Sequence, residues 1–266
     1  MARLFVMSTY FRINYEFDRE AVHRRISERL KEPGSDYISV ADGVILNTAN
    51  RRPDYLEVIN SGMFAICDSG YVPLYLRWIY GMHVEQYCGS QIFADIVGSR
   101  RYRMAFLGTR TEVLEGLRRE LMAMNPDVDG MLFYELPFLS VDKFDYPAIA
   151  RMLREDGADI VWVALGAPKQ EIFMSLLKPH LDHGVMIAVG AAFKFYSGAD
   201  VARAPRWMVE HHLEFAHRIY KEPRKQLRRC ADIVRTLPIL LWQEYRRKSR
   251  EGKVKSQKST ESQESS

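Results

Sequence analysis

The sequence predicts an α/β protein: a Rossmann-like, mostly parallel sheet with helices on both faces, followed by a C-terminal helical appendage. Three observations carry this. Short, wholly apolar runs recur along the first 190 residues, helical patterns separate several of them, and after Gly198 the strand-like runs stop. Alternation of this kind places a parallel sheet between two layers of helices.

Taken in order, the runs at Val44–Leu46, Met63–Cys67, Met104–Leu107, Met131–Tyr134, Ile160–Leu165 and Val185–Val189 read as buried strands. Helical patterns cover Pro53–Ser61, Glu112–Met124, Tyr146–Arg154 and Lys169–Leu177. Pro53 and Pro168 sit near helix starts, where the missing N–H of proline costs nothing. Beyond Gly198, "RAPRWMVEHHLEFAHRIY" and "EPRKQLRRCADIVRTL" read as two helices broken at Pro223. The expected organisation is a sheet domain over 1–200, a basic helical appendage over 201–250 and a disordered tail over 251–266. That tail ends in "KVKSQKSTESQESS", which has no apolar content to repay ordering.

Composition narrows the class. A chain of 266 residues, 47% hydrophobic, can bury one sizeable core. Cys67, Cys88 and Cys230 form no C-x-x-C pair, which argues against a disulfide scaffold or structural zinc and fits a reducing compartment. "MARLFVMSTYF" is too short an apolar run for a secretory signal, and no stretch approaches a membrane span. A soluble or peripheral cytoplasmic protein is expected. The net charge of +4 hides an asymmetry: eleven basic residues lie between Arg218 and Arg250, opposed only by Glu222, Asp232 and Glu244. An anionic partner would be met there.

Ligands of such sheets lie beyond the carboxyl ends of the strands. Four expected strand ends carry polar residues: "NTAN" (47–50), "CDSG" (67–70), "GAPKQE" (166–171) and "GAAFKFYSG" (190–198). The turn in "GAPKQE" brings Gln170 and the first N–H groups of a helix to the rim, where an anion such as a diphosphate is favoured. The plainer reading is an ordinary loop whose Gln and Glu cap the helix. "DVD" (127–129) has the D-x-D form of a metal-holding motif, but it lies before a strand, away from that rim. His180 and His183 lack a third ligand at metal spacing, His211 and His212 are adjacent and so face different sides of a helix, and Cys67 reads as a small buried residue.

"GAPKQE", "AVGAAFKFYSG" and "RAPRWMVEHHLEFAHRIYKEPRKQLRR", in that order and spacing, resemble the WecG/TagA/CpsF family of bacterial glycosyltransferases, and "NTAN" and Asp68 match its earlier landmarks. The resemblance runs from about Val44 to Arg229. It implies a cofactor-free, metal-independent, inverting transferase. Such an enzyme moves a sugar from a nucleotide-sugar, expected to be a UDP-sugar, onto a polyprenyl-diphosphate-linked sugar at the inner face of the cytoplasmic membrane.

By this resemblance Asp68 is the base, and Thr48 and Asn50 bond substrate hydroxyls. Gln170 matches the family's polar contact to the bound sugar or nucleotide, and Glu171 beside it is expected to bind substrate too. N–H groups after Gly108 or Gly166 would cradle the diphosphate, with Arg203, Arg218, Arg224 and Arg228 supplying charge. Each has a plainer reading: Asp68 as a helix cap, Thr48 and Asn50 as turn support. Three positions depart from the family pattern. Lys194 stands where Asp is usual and would pair with a diphosphate or an acidic sugar; Ser69 is inserted in "DSG"; Gln86 replaces a common arginine.

"RTLPILLWQEYRRK" sets Leu237, Ile239, Leu240, Leu241 and Trp242 between basic clusters, the composition of a segment at an anionic bilayer. Packing on the sheet domain, or on a second subunit in a homo-oligomer, is compatible with it. Nucleic acid is not the expected partner, since no RNA-binding motif accompanies the basic residues. Two alternatives stay open: a catalytically degenerate, non-enzymatic member of the family, and a different Rossmann-type nucleotide-binding enzyme, though no G-x-G-x-x-G follows the first strand.

Overall fold

The computed structural model describes residues 8–190, 192–198, 231 and 233–250. Among them one sheet is formed by β1 (Ser8–Tyr10), β2 (Ile13–Tyr15), β3 (Asp36–Ala41), β4 (Phe64–Cys67), β5 (Met104–Gly108), β6 (Leu132–Tyr134), β7 (Ile160–Ala164) and β8 (Val185–Ala188). The strands lie in the order β1-β2-β4-β3-β8-β7-β5-β6. Every pairing is parallel except the β1–β2 hairpin at one edge. The α/β expectation is met.

The helices are α1 (Arg19–Arg29), α2 (Gly43–Arg51), α3 (Pro53–Asn60), α4 (Val72–Tyr80), α5 (Gly89–Ser99), α6 (Thr111–Met122), α7 (Tyr146–Asp156), α8 (Lys169–Leu177) and α9 (Ala192–Tyr196). They cover both faces because alternate strand residues point opposite ways. Phe106 and Trp162 pack with Phe93 of α5, Leu117 of α6 and Phe193 of α9 on one face. Leu107 and Val163 pack with Leu153 of α7 and Phe173 of α8 on the other. On that second face, α2, α3 and α4 cover Ala41, Ala65 and Cys67. Each large side chain so buried contributes roughly 2–3 kcal/mol of transfer free energy.

One expected element is wrong. Val44–Leu46 is not a strand; these residues lie in α2, and the strand lies upstream at β3. Three apolar residues in a row fit a buried strand and a buried helix face equally well. Here Ile45, Leu46 and Ala49 pack inward. Asp42 starts the helix, its carboxylate accepting from the N–H groups of Val44 and Ile45 at 2.9 and 2.9 Å.

A helix at 233–250 lies on the α2–α4 half of the sheet. Leu240 is buried among Leu76 and Ile79. Tyr80 Oη donates to Glu244 Oε1 at 2.8 Å, and Arg247 donates to both. Thr236 Oγ1 donates to Asn47 Oδ1. The segments expected as helices within 201–230, and the tail expected to be disordered, lie outside the described residues.

Candidate active site

The carboxyl ends of β4, β3, β8, β7 and β5 stand side by side along one rim. At its centre the chain leaves β3 for α2 on one face, and leaves β8 for α9 on the other. Doubly wound sheets bind ligands at such a switch point.

Asp68 follows β4 directly. Its backbone N–H donates to Ala41 O at 3.1 Å, extending the β3–β4 ladder by one step, and its side chain is half-buried. Two thiols flank it. Burial pushes the Cys67 thiol up to about 12, and the Asp68 charge adds to that. Cys88 is raised by burial as well, with the Asp68 charge contributing. Neither is a thiolate nucleophile at neutral pH. Segment 83–88 folds over the strand end: Tyr87 N–H donates to Cys67 O at 3.0 Å. Gln86 Oε1 lies 3.8 Å from where a Cβ on Gly70 would be, so Gln86 stands beside the Asp68 turn.

Beyond β7 the backbone turns at Gly166, whose φ of +77° favours glycine, and continues through a cis Ala167–Pro168 peptide into α8. Gln170 is 4% exposed and closes the turn: its Oε1 accepts the Gly166 N–H at 3.0 Å. Its Nε2 donates to Glu171 Oε1 at 2.8 Å, and Glu171 Oε2 accepts from Tyr55 Oη of α3 at 3.0 Å. Glu171 is fully buried, and this burial lifts its carboxyl to about 7 against the pull of those hydrogen bonds. A wholly buried Glu171 does not touch a ligand directly, and the Gly166 N–H is spent within the turn. A Cβ on Gly190, after β8, would lie 3.5 Å from Gln170 Oε1, so the two turns adjoin.

The remaining candidates divide. Gly108 ends β5 with φ +108°, and a Cβ there would meet Ala164 O at 2.6 Å, so only glycine fits beside β7. Lys194 lies exposed on α9. Thr48 and Asn50 are not at a strand end but within α2, a consequence of the corrected strand. Thr48 Oγ1 donates to Val44 O at 2.7 Å. Asn50 Nδ2 donates to Leu46 O at 2.9 Å and to Phe11 O at 3.0 Å, tying the edge hairpin to the helix. Arg203, Arg218, Arg224 and Arg228 lie outside the described residues.

Asp127 and Asp129 occupy a short turn, Pro126–Gly130, before the amino end of β6 and opposite the rim. Among the described residues no three His, Cys, Asp or Glu side chains converge. Two residues escaped the sequence reading. Asp42, at the true end of β3, was hidden by the misplaced strand, although Asp-Gly after "YISVA" is a cap signal. Tyr55 carried no local signal, because its partner is 116 positions away.

The chain is similar to known proteins along most of its length. The profile of the family described as Glycosyl transferase WecG/TagA/CpsF family matches residues 11–251. An N-acetylglucosaminyldiphosphoundecaprenol N-acetyl-beta-D-mannosaminyltransferase of Bacillus subtilis (strain 168) is 25% identical over 198 residues, covering 70% of this chain and 75% of that protein. The protein of the same name from Bacillus spizizenii (strain ATCC 23059 / NRRL B-14472 / W23) is 24% identical over 202 residues, covering 70% and 75%.

Proposed function

The chain belongs to the WecG/TagA/CpsF family of glycosyl transferases, and from that premise we propose that it moves an N-acetylated amino sugar from a UDP-sugar, with inversion, onto N-acetylglucosaminyl-diphospho-undecaprenol or a close relative. The names of the two relatives supply acceptor and sugar. The observation that carries the reading is Asp68, a half-buried carboxylate at the carboxyl end of β4 beside the switch point.

In this mechanism Asp68 takes the proton of an acceptor hydroxyl as its oxygen bonds to the anomeric carbon of the donor. The bond to the nucleotide diphosphate breaks on the opposite side, so the configuration inverts. The departing diphosphate carries the developing charge. N–H groups after Gly108 and at the start of α8, with Lys194, Arg203, Arg218, Arg224 and Arg228, are assigned to balance it. Thr48 and Asn50 act from α2, Thr48 through the lone pairs its hydroxyl retains.

A lipid-linked acceptor must be met at a bilayer, and no helix among the described residues is long and apolar enough to cross one. The helix at 233–250 supplies an interfacial surface instead. While Leu240 packs inward, Ile239, Trp242 and Tyr245 are exposed, and the Arg246 guanidinium lies 3.9 Å over the Trp242 ring. Exposed aromatics among arginines suit the headgroup layer of an anionic, inner-face membrane. The test is UDP release with the lipid-linked acceptor in anionic and in neutral vesicles. Turnover favoured by anionic vesicles is expected. Vesicle binding without turnover would mark a non-catalytic relative and defeat the reading.

A further inference from the structure

We propose that Glu171 is a positioning residue for the transfer: as a carboxylate it fixes the amide of Gln170, and thereby holds the 166–170 turn in the shape the rim requires. The inference rests on the proposed transferase site in one respect, that this turn belongs to it.

The geometry leaves the amide one orientation. A carboxylate only accepts hydrogen bonds, and Glu171 accepts two, from Tyr55 Oη at 3.0 Å and from Gln170 Nε2 at 2.8 Å. The other end of the same amide must then be oxygen, and it accepts the Gly166 N–H at 3.0 Å. A flipped amide would set NH2 against N–H at Gly166 and oxygen against oxygen at Glu171. Tyr55 and Glu171 are buried and Gln170 nearly so, so no solvent replaces a lost partner. The chain thus joins α3, α8 and the turn after β7 through one carboxylate.

Protonation breaks the pattern. A carboxylic acid must donate its proton. On Oε1 the proton faces the Gln170 NH2, so the amide must flip; on Oε2 it faces the Tyr55 O–H, so that hydroxyl must turn away. Either way a buried donor is left without an acceptor. The titratable groups whose fields meet here are Tyr55 from α3, Asp42 at the end of β3 and Tyr37 within β3. Burial and the Asp42 charge both favour the protonated form, so the lock is poised to release near neutral pH, and transfer should carry an acid limb there.

The experiment follows the full chain as wild type, Glu171→Gln and Tyr55→Phe by hydrogen exchange of the turn amides and by the pH profile of kcat/KM. Glu171→Gln keeps the shape but cannot ionise. It should stay folded, exchange the turn amides about tenfold faster above pH 7, lose about tenfold in kcat/KM there, and lack the acid limb. Tyr55→Phe removes one hydrogen bond to the ionised form, so its acid limb should move to higher pH. Unchanged exchange in Glu171→Gln, or an unmoved limb in Tyr55→Phe, overturns the lock. Faster exchange with undiminished transfer would overturn the positioning role and remove the turn from the site, while the transferase reading stood. A wild type without transfer on any UDP-sugar would defeat that reading, with the exchange arm still deciding the lock. If Glu171→Gln does not fold, Tyr55→Phe decides alone.

Discussion

Two carboxylates stand at the ends of buried parallel strands, and the molecule treats them oppositely. Asp68, after β4, is half-buried and flanked by the exposed Gln86 and Gly70. Glu171, one turn into the helix after β7, is sealed from solvent with donors on both oxygens. A carboxylate that must exchange a proton with a substrate needs access; one that must hold a loop needs fixed partners. The proposed roles follow that difference in access, chemistry for the first and shape for the second.

The sharpest way to break that contrast is Asp68→Asn. Transfer should fall by about 10²-fold or more, the usual worth of a general base, with an unchanged thermal melt; an undiminished rate would remove Asp68 from the chemistry. On the closed side, Gln170→Ala strips Glu171 and the Gly166 N–H of a partner each. A loss of about 1–3 kcal/mol in denaturant unfolding is expected, together with weaker transfer.

The pH dependence of stability separates the carboxylates further. The Glu171 pKa is raised in the folded state to about 7 from an ordinary 4.5. Its contribution is therefore fully present below pH 4.5 and lost as pH rises through 7. Between pH 5 and 8 that is roughly 2 kcal/mol, which Glu171→Gln should abolish when urea midpoints are compared. Ionisation thus costs stability while serving the turn. Asp42→Ala, which removes the α2 cap, should cost about 1 kcal/mol and lower the melting temperature by about 2–4 °C. The smallest expected effect is that of a chelator, which should barely alter transfer. Activity lost in chelator and restored by a divalent ion would revive Asp127 and Asp129.

The same two strand ends show what the sequence could and could not reveal. β7 and its turn were legible because Ile160–Leu165 is long, apolar and punctuated by Gly166 and Pro168. The Asp68 strand end was legible too. β3 was not: its Ser39 and the Asp at either end blur the apolar run, while Val44–Leu46 imitates a strand and is a helix face. That one error moved Thr48 and Asn50 from the rim into α2 and concealed Asp42. Tyr55 was invisible in principle, since only the fold brings α3 against α8. The resemblance implies that Glu171 meets the ligand; burial places it behind Gln170.

The central claim, inverting transfer by the half-buried carboxylate of Asp68 at the β4 end, is tested most directly by the anomeric configuration of the product. UDP-N-acetylmannosamine and N-acetylglucosaminyl-diphospho-undecaprenol, or a short-chain analogue, would be incubated with the full chain and the product examined by NMR. A β-linked disaccharide from an α-linked donor, formed with one UDP released per sugar, is the predicted result. An α-linked product, or UDP release without a disaccharide, would contradict it.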